Sequence, residues 1–253
     1  MRFQLLAAQL ARATLVLAVL AALVAVGGTR LGLMPFANGF SIMTLATALG
    51  LLALGMALIW LFCALTNNLG AGKRAGLTGL LGSLFLLFPP LHTAYLGLTS
   101  PAIYDATTNP EDPPQFVALA RLRRPAMNPP AYDGSKQITF QGETNTAAYM
   151  LHTYYSALTK PYARLLTSKD KLFWHAFETA KKMGWTIIDY SEKDGRIEAT
   201  DRSFWFGQTA DIVIRVQTAG ALGARLDIRS QSEQGARDFG SNIARLTAYL
   251  KAL

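Results

Sequence analysis

No acidic residue occurs before Asp105, and three apolar runs, 13–28, 42–65 and 75–98, fill most of the preceding chain. A bilayer core takes about 20 helical residues, a length the second and third runs reach directly. The first reaches it when residues 5–10 join, which draws Arg12 to the interface, where a long basic side chain can snorkel. A cleaved signal peptide is the rival reading of that first run, with its charged start and small residues near Gly27. The count adopted is three spanning helices over residues 1–98. Arg2 and Arg12 precede the first run and Lys73 with Arg74 precede the third, whereas the intervening loop holds only Arg30. Short loops rich in Lys and Arg stay cytoplasmic. The expected topology is therefore a multi-pass protein of the bacterial inner (cell) membrane, N-terminus inside, with everything after Leu98 in the periplasm.

Within the runs, Ala18 with Ala22, Ala21 with Ala25, and Gly76, Gly79 and Gly82 form small-residue faces. Such faces let helices approach closely, either in this bundle or against a larger membrane complex. Pro89 and Pro90 should kink or break the third helix, since proline cannot supply the helical hydrogen bond. His92, just beyond, reads as an interfacial residue near Tyr95; a haem or quinone ligand is the sharper alternative, lacking a second histidine in the bundle. Cys63 is the one cysteine, so no disulfide within the chain and no cysteine zinc site can form.

Residues 99–145 are dense in proline (PAIYDATTNPEDPPQF, RRPAMNPP) and read as an extended arm. Ile103, Tyr104, Phe116 and Val117 make it a strap rather than a bare spacer. Arg121, Arg123 and Arg124 would then lie near lipid headgroups or a partner. Residues 146–253 read as an outer α+β domain. A short helix falls within 144–156, where His152 is read as filling a core edge. Ser168 caps a helix that Gly184 ends, and Leu172, Phe173, Ala176, Phe177, Ala180 and Met183 form its apolar stripe. His175 falls beside that stripe. Four strands follow, 186–190, 196–202, 210–217 and 224–231, with a final helix carrying Phe239, Ile243, Leu246, Leu250 and Leu253.

Period-two alternation gives the four-stranded antiparallel sheet two faces. Ile197, Ile212, Ile214, Val216, Leu226 and Ile228 should lie under both helices, on one side. Glu198, Thr200, Arg202, Asp211, Arg215, Arg225, Asp227 and Arg229 should face water on the other. Opposite charges support a cross-strand pair, so Arg215 is set opposite Asp227, Val213 opposite Arg229 and Gln217 opposite Arg225.

The segments PAIYDATTNPEDPPQF, GRIEATDRSFWFG, DIVIRV, RLDIRSQS and GARDFGSNIARL resemble the bacterial family catalogued as domain of unknown function 1499. The likeness runs from Pro101 to the C-terminus, and the helical anchor is similar to that of many members; residues 144–167 depart from the pattern. The resemblance implies a fold and an outer compartment, and no reaction.

The net charge of +8 divides into +5 before Asp105 (five basic, no acidic) and +3 after it (19 minus 16). Downstream charges alternate in sign, which excludes a nucleic-acid stripe. Ser230 and Ser232 have no histidine after them, His152 and His175 lack an evident carboxylate partner, and no phosphate loop or metal-spaced cluster occurs. Asp211 and Asp227 could serve as acid and base, but alternating arginines would hold both ionised. The reading is a non-catalytic protein without cofactor or metal, whose outer domain binds or braces another membrane component, as an accessory or assembly subunit. Its partners would be membrane lipids and a larger membrane complex. The candidate contacts are Arg202, Phe204, Trp205, Phe206, Asp211, Arg215, Asp227, Arg229, Arg237 and Arg245. A carrier of lipid or another hydrophobic ligand, using space between sheet and helices, is the alternative, and a hydrolase-type enzyme the third.

Overall fold

The computed structural model describes residues 2–67, 72–160, 162–164, 167–220 and 223–253. These form two compact units, one of Met1–Tyr95 with Phe204–Gly207, the other of Leu96–Ser203 with Gln208–Leu253.

The first unit contains α1 (Arg2–Arg30), α2 (Phe36–Asn67) and most of α3 (Lys73–Thr99), all long and apolar enough to cross a membrane. The chain is a membrane protein on that ground. In α1 the early residues have joined the run, and Arg12 is exposed. The small residues pack the three helices on one another. A Cβ at Gly76 would meet the Trp60 ring at 2.1 Å, at Gly79 the Ala11 Cβ at 2.7 Å, and at Gly82 the Leu15 side chain at 2.3 Å. Trp60 is consequently fully buried between helices although it sits in an apolar span. Pro89 and Pro90 do not end α3, which continues through both to Thr99. His92 is exposed and stacks on Phe88, centroids 6.0 Å apart.

The second unit is α+β. In chain order come β1 (Asp105–Thr107), α4 (Ala118–Leu122), a hairpin of β2 (Gln137–Phe140) and β3 (Glu143–Thr146), α5 (Ala147–Tyr154), β4 (Tyr162–Arg164) and α6 (Lys169–Lys182). Then follow β5 (Thr186–Ser191), β6 (Arg196–Arg202), β7 (Thr209–Thr218), β8 (Ala224–Ser232) and α7 (Ser241–Ala252). The main sheet is wider than the four strands expected. Its path runs β1-β8-β7-β6-β5, and β4 also pairs with β8. The extra strands come from segments too short and proline-flanked to show alternation. The register read from charge is observed, with Arg215 opposite Asp227, Val213 opposite Arg229 and Gln217 opposite Arg225.

Local signals place the covering helices. The Ser168 side chain accepts from the Lys171 N–H and opens α6; Gly184, at φ 80°, lets the chain leave it. Gly195 closes the β5–β6 turn at φ 68°, where any Cβ would strike the Val216 carbonyl oxygen at 2.0 Å. Leu172, Phe173 and Ala176 of α6 and Leu246 and Tyr249 of α7 share one core with Ile197, Ile212, Ile214, Val216, Leu226 and Ile228. All eleven are essentially solvent-free and pack as one continuous core.

Candidate functional site

The second face of the sheet was expected to meet water, and here the structure corrects the sequence. Glu198, Asp211, Asp227, Arg229 and Gln231 are buried, not by the helices but by the proline-rich segment, which crosses the sheet as a strap. Phe116 and Leu119 of the strap pack on Val213, the apolar residue that alternation leaves among the charges.

Beneath the strap the ions are paired with one another. Arg229 donates from Nε and one terminal nitrogen to the two carboxylate oxygens of Asp105, at 2.8 and 2.7 Å. Its remaining capacity goes to the carbonyls of Pro114 and Pro130. The Phe116 and Tyr132 rings lie at 4.7 and 5.4 Å from the guanidinium. A planar, fork-shaped cation suits this site, because it accepts a bidentate carboxylate and aromatic faces together. Gln231 bridges onward, donating to Asp105 and the Pro129 carbonyl and accepting from Arg123. Arg123 reaches Asp211 at 2.7 Å, both side chains nearly solvent-free. It therefore points into the protein, not toward lipid headgroups. Glu198 accepts the backbone N–H groups of Val117, Ala118 and Leu119, capping α4, and Arg196 lies 2.8 Å away. Asp227 holds Arg215 at 2.8 Å and Arg225 at 3.1 Å, and Arg215 also reaches Asp112 of the strap.

Burial sets the proton affinities in this layer. Desolvation pushes the Asp105 carboxyl up, against the hydrogen bonds and charge of Arg229. Asp211 is pushed up to about 6 by burial first, with Glu233 and Glu198 adding to it and Arg123 opposing. One oxygen each of Asp211 and Asp227 has no hydrogen-bond partner among the described residues.

The other sequence candidates lie elsewhere. Arg245 of α7 pairs with Asp201 at 2.7 Å and donates to Ser230 and Asn242. Ser230 itself donates to Asn242, so its hydroxyl is part of a helix-to-sheet clamp and faces no base. Arg237 donates to the Gly97 carbonyl. Arg202 is exposed at the end of β6. Phe204, Trp205 and Phe206 belong to the helical unit, where Phe204 and Trp205 are exposed. The structure thus gathers Asp211, Arg215, Asp227 and Arg229 into one layer and leaves the remaining six candidates outside it.

His152 does have a carboxylate partner, Glu111, 41 residues upstream at 2.6 Å, and its other ring nitrogen is 3.2 Å from the Thr159 hydroxyl. Glu111 and Thr159 thus flank the imidazole as an orienting carboxylate and a nucleophilic hydroxyl would, yet His152 and Glu111 are exposed and the three line neither cleft described next. Among the described residues no group of three acidic, histidine or cysteine side chains could hold a metal ion.

Two open clefts lie on the second unit. One, of about 450 Å³, is lined by Lys169, Asp194, Gln217 and Arg225 among others. The second, of about 500 Å³, lies between α6 and β5 and includes Phe177, Trp185, Ile188 and Tyr190. Beside it Trp174, Phe177 and Tyr190 form an edge-on aromatic cluster with centroids 5.0 to 6.1 Å apart. Trp174, Ile188 and Tyr190 are exposed, and β5 ends the sheet with its outer edge unpaired among the described residues. Sequence pattern does not reveal this patch: Phe177 belongs to the apolar stripe of α6 and Tyr190 to β5, while Trp174 lies outside that stripe, and only the fold brings the three together.

A family model described as "Protein of unknown function (DUF1499)" matches residues 105–253, beginning at the first residue of β1. No curated protein and no solved structure matches the chain.

Proposed function

The chain belongs to the DUF1499 family, and from that premise we propose a non-catalytic protein of the bacterial inner membrane whose periplasmic domain binds or braces another membrane component. It would serve as an accessory or assembly subunit of a larger complex. The orientation rests on Arg2, Arg12, Lys73 and Arg74 flanking the cytoplasmic ends of the helices.

One observation carries the binding role: the groups that chemistry would use neutralise one another beneath the strap, while the exposed aromatics gather at the free edge of β5. Large, stiff aromatic side chains dominate binding energy where they can enter a partner's pocket. An unpaired strand edge adds backbone donors and acceptors for an extended segment. The candidate contact surface is thus Trp174, Phe177, Ile188 and Tyr190, with the charged layer acting as internal bracing.

A photoreactive amino acid placed at Tyr190 or Trp174 of the full chain in native membranes tests this. A crosslinked adduct of one discrete mass is expected from both positions, and none from Thr144 on the β2–β3 hairpin. Loss of the adduct at both edge positions, or an equal adduct at Thr144, would overturn the assignment.

A further inference from the structure

We infer that the loop between β6 and β7 is a lipid-surface contact, its Phe204-Trp205-Phe206 tip seated in the headgroup layer beside the ends of α1 and α2. The inference rests on the reading that these helices cross a bilayer.

Four observations within the helical unit point there. Phe204–Gly207 group with the helices rather than with the sheet whose strands they join. Arg30, the last residue of α1, donates to the Phe204 carbonyl and lies 5.8 Å from that ring's centroid. Phe206 stands edge-on to Phe36, the first residue of α2, at 5.5 Å, and Phe36 continues to Phe40 at 5.8 Å. Finally, Phe204 is 75% and Trp205 53% exposed, next in space to a helix connection whose Leu31 and Leu33 are 74% and 77% exposed.

An aqueous setting for four such side chains would be costly, because each leaves apolar surface wet. The end of a membrane-spanning helix supplies the alternative. Tryptophan concentrates at that depth, where its apolar body and its indole N–H are both satisfied, and flanking phenyl rings can enter the acyl boundary just below. Arg30 marks the same level, since a guanidinium at a span's end can reach lipid phosphate while its stem stays in the apolar layer. Lipid is favoured over a protein partner by continuity: the tip runs directly into the exposed apolar surface of α1 and α2, which carries Leu23, Val24 and Phe40.

The test uses the full chain with Cys63→Ser, carrying Phe204→Cys labelled with a nitroxide, in vesicles of phosphatidylethanolamine and phosphatidylglycerol. Collision with oxygen, which partitions into lipid, is compared with collision with a water-soluble nickel chelate. Leu51→Cys, exposed near the middle of α2, and Lys193→Cys in the β5–β6 turn serve as the lipid and water references. The oxygen-to-nickel ratio at 204 is expected above that at 193 and below that at 51. A ratio equal to that at 193, or exclusion of both probes as in a protein interface, would overturn the inference. A low ratio at 51 would remove the spans themselves and this contact with them. In the unlabelled chain, the fluorescence lost on Trp205→Phe should be quenched more by lipid brominated near the headgroup than at the chain end; the opposite order also overturns it.

Discussion

Strands β6, β7 and β8 present two faces that are buried equally well by opposite chemistry. Toward α6 and α7 they offer Ile197, Ile212, Ile214, Val216, Leu226 and Ile228; toward the strap, Glu198, Asp211, Asp227 and Arg229. The first face needs only shape and volume, because apolar contact has no direction, and two regular helices supply it. The second needs a partner for every donor and acceptor, and so fixes where each residue of an irregular segment must lie. Oil specifies that something covers the sheet; ions specify what covers it and in which register.

The largest contrast is expected at Arg229. Substituting Met leaves Asp105 buried without its counter-ion, held only by the Gln231 amide, and should cost about 3 to 5 kcal/mol. Arg229→Met combined with Asp105→Leu should recover most of that loss, because desolvation already works against the Asp105 carboxylate. Unfolding of the full chain in detergent, followed through the second unit's tryptophans, measures both. Equal losses in the single and double variants would mean that the pair stabilises by attraction rather than by mutual neutralisation. On the oily face, Leu246→Ala should cost about 3 kcal/mol, and no second substitution opposite it should restore stability unless it refills the volume.

How much of this was legible follows the same division. Period-two alternation delivers β5 to β8, and the charges on the strands deliver the β7–β8 register, since Arg215 and Asp227 attract wherever they lie. Ser168 and Gly184 bound α6 because caps are local chemistry. The strap was legible as extended but not as a lid: it joins Asp105 to Arg229 across 124 residues, and no periodicity reports a contact of that span. One signal was available. Val213 is apolar on the charged face, and Phe116 and Leu119 are apolar three apart in the arm; each was waiting for cover that the other supplies. The fifth strand along the sheet's path is hidden for the same reason, as β1 is three residues long and pairs with β8 along the strap's path.

A smaller effect, and one the oily face cannot show, is a dependence on pH. The Asp211 carboxyl titrates at about 6 in the folded chain against 3.8 ordinarily, chiefly through burial. Between those values the folded state holds a proton the unfolded state has lost. This group therefore adds stability at low pH, and that contribution is lost as the pH rises through about 6. The stability of the native chain relative to Asp211→Asn should accordingly fall by about 1 to 3 kcal/mol between pH 4 and 6.5 and then level off. A difference that rises with pH would mean that Arg123 outweighs desolvation.

The smallest effect belongs at the rim, where the ionic layer opens to water. Asp112 is 67% exposed and shares Arg215 with the buried Asp227. Removing its side chain leaves Arg215 still paired, and an exposed ion pair is worth about 0.2 to 1 kcal/mol. Asp112→Ala should therefore cost no more than about 0.5 kcal/mol, and the cost should shrink further with added salt. Losses that grade from Asp112 to Asp105 would show that the strap is held from its buried centre outward. Comparable losses at both would mean that it closes as one unit, in which case the rim is as much a part of the lid as Arg229 is.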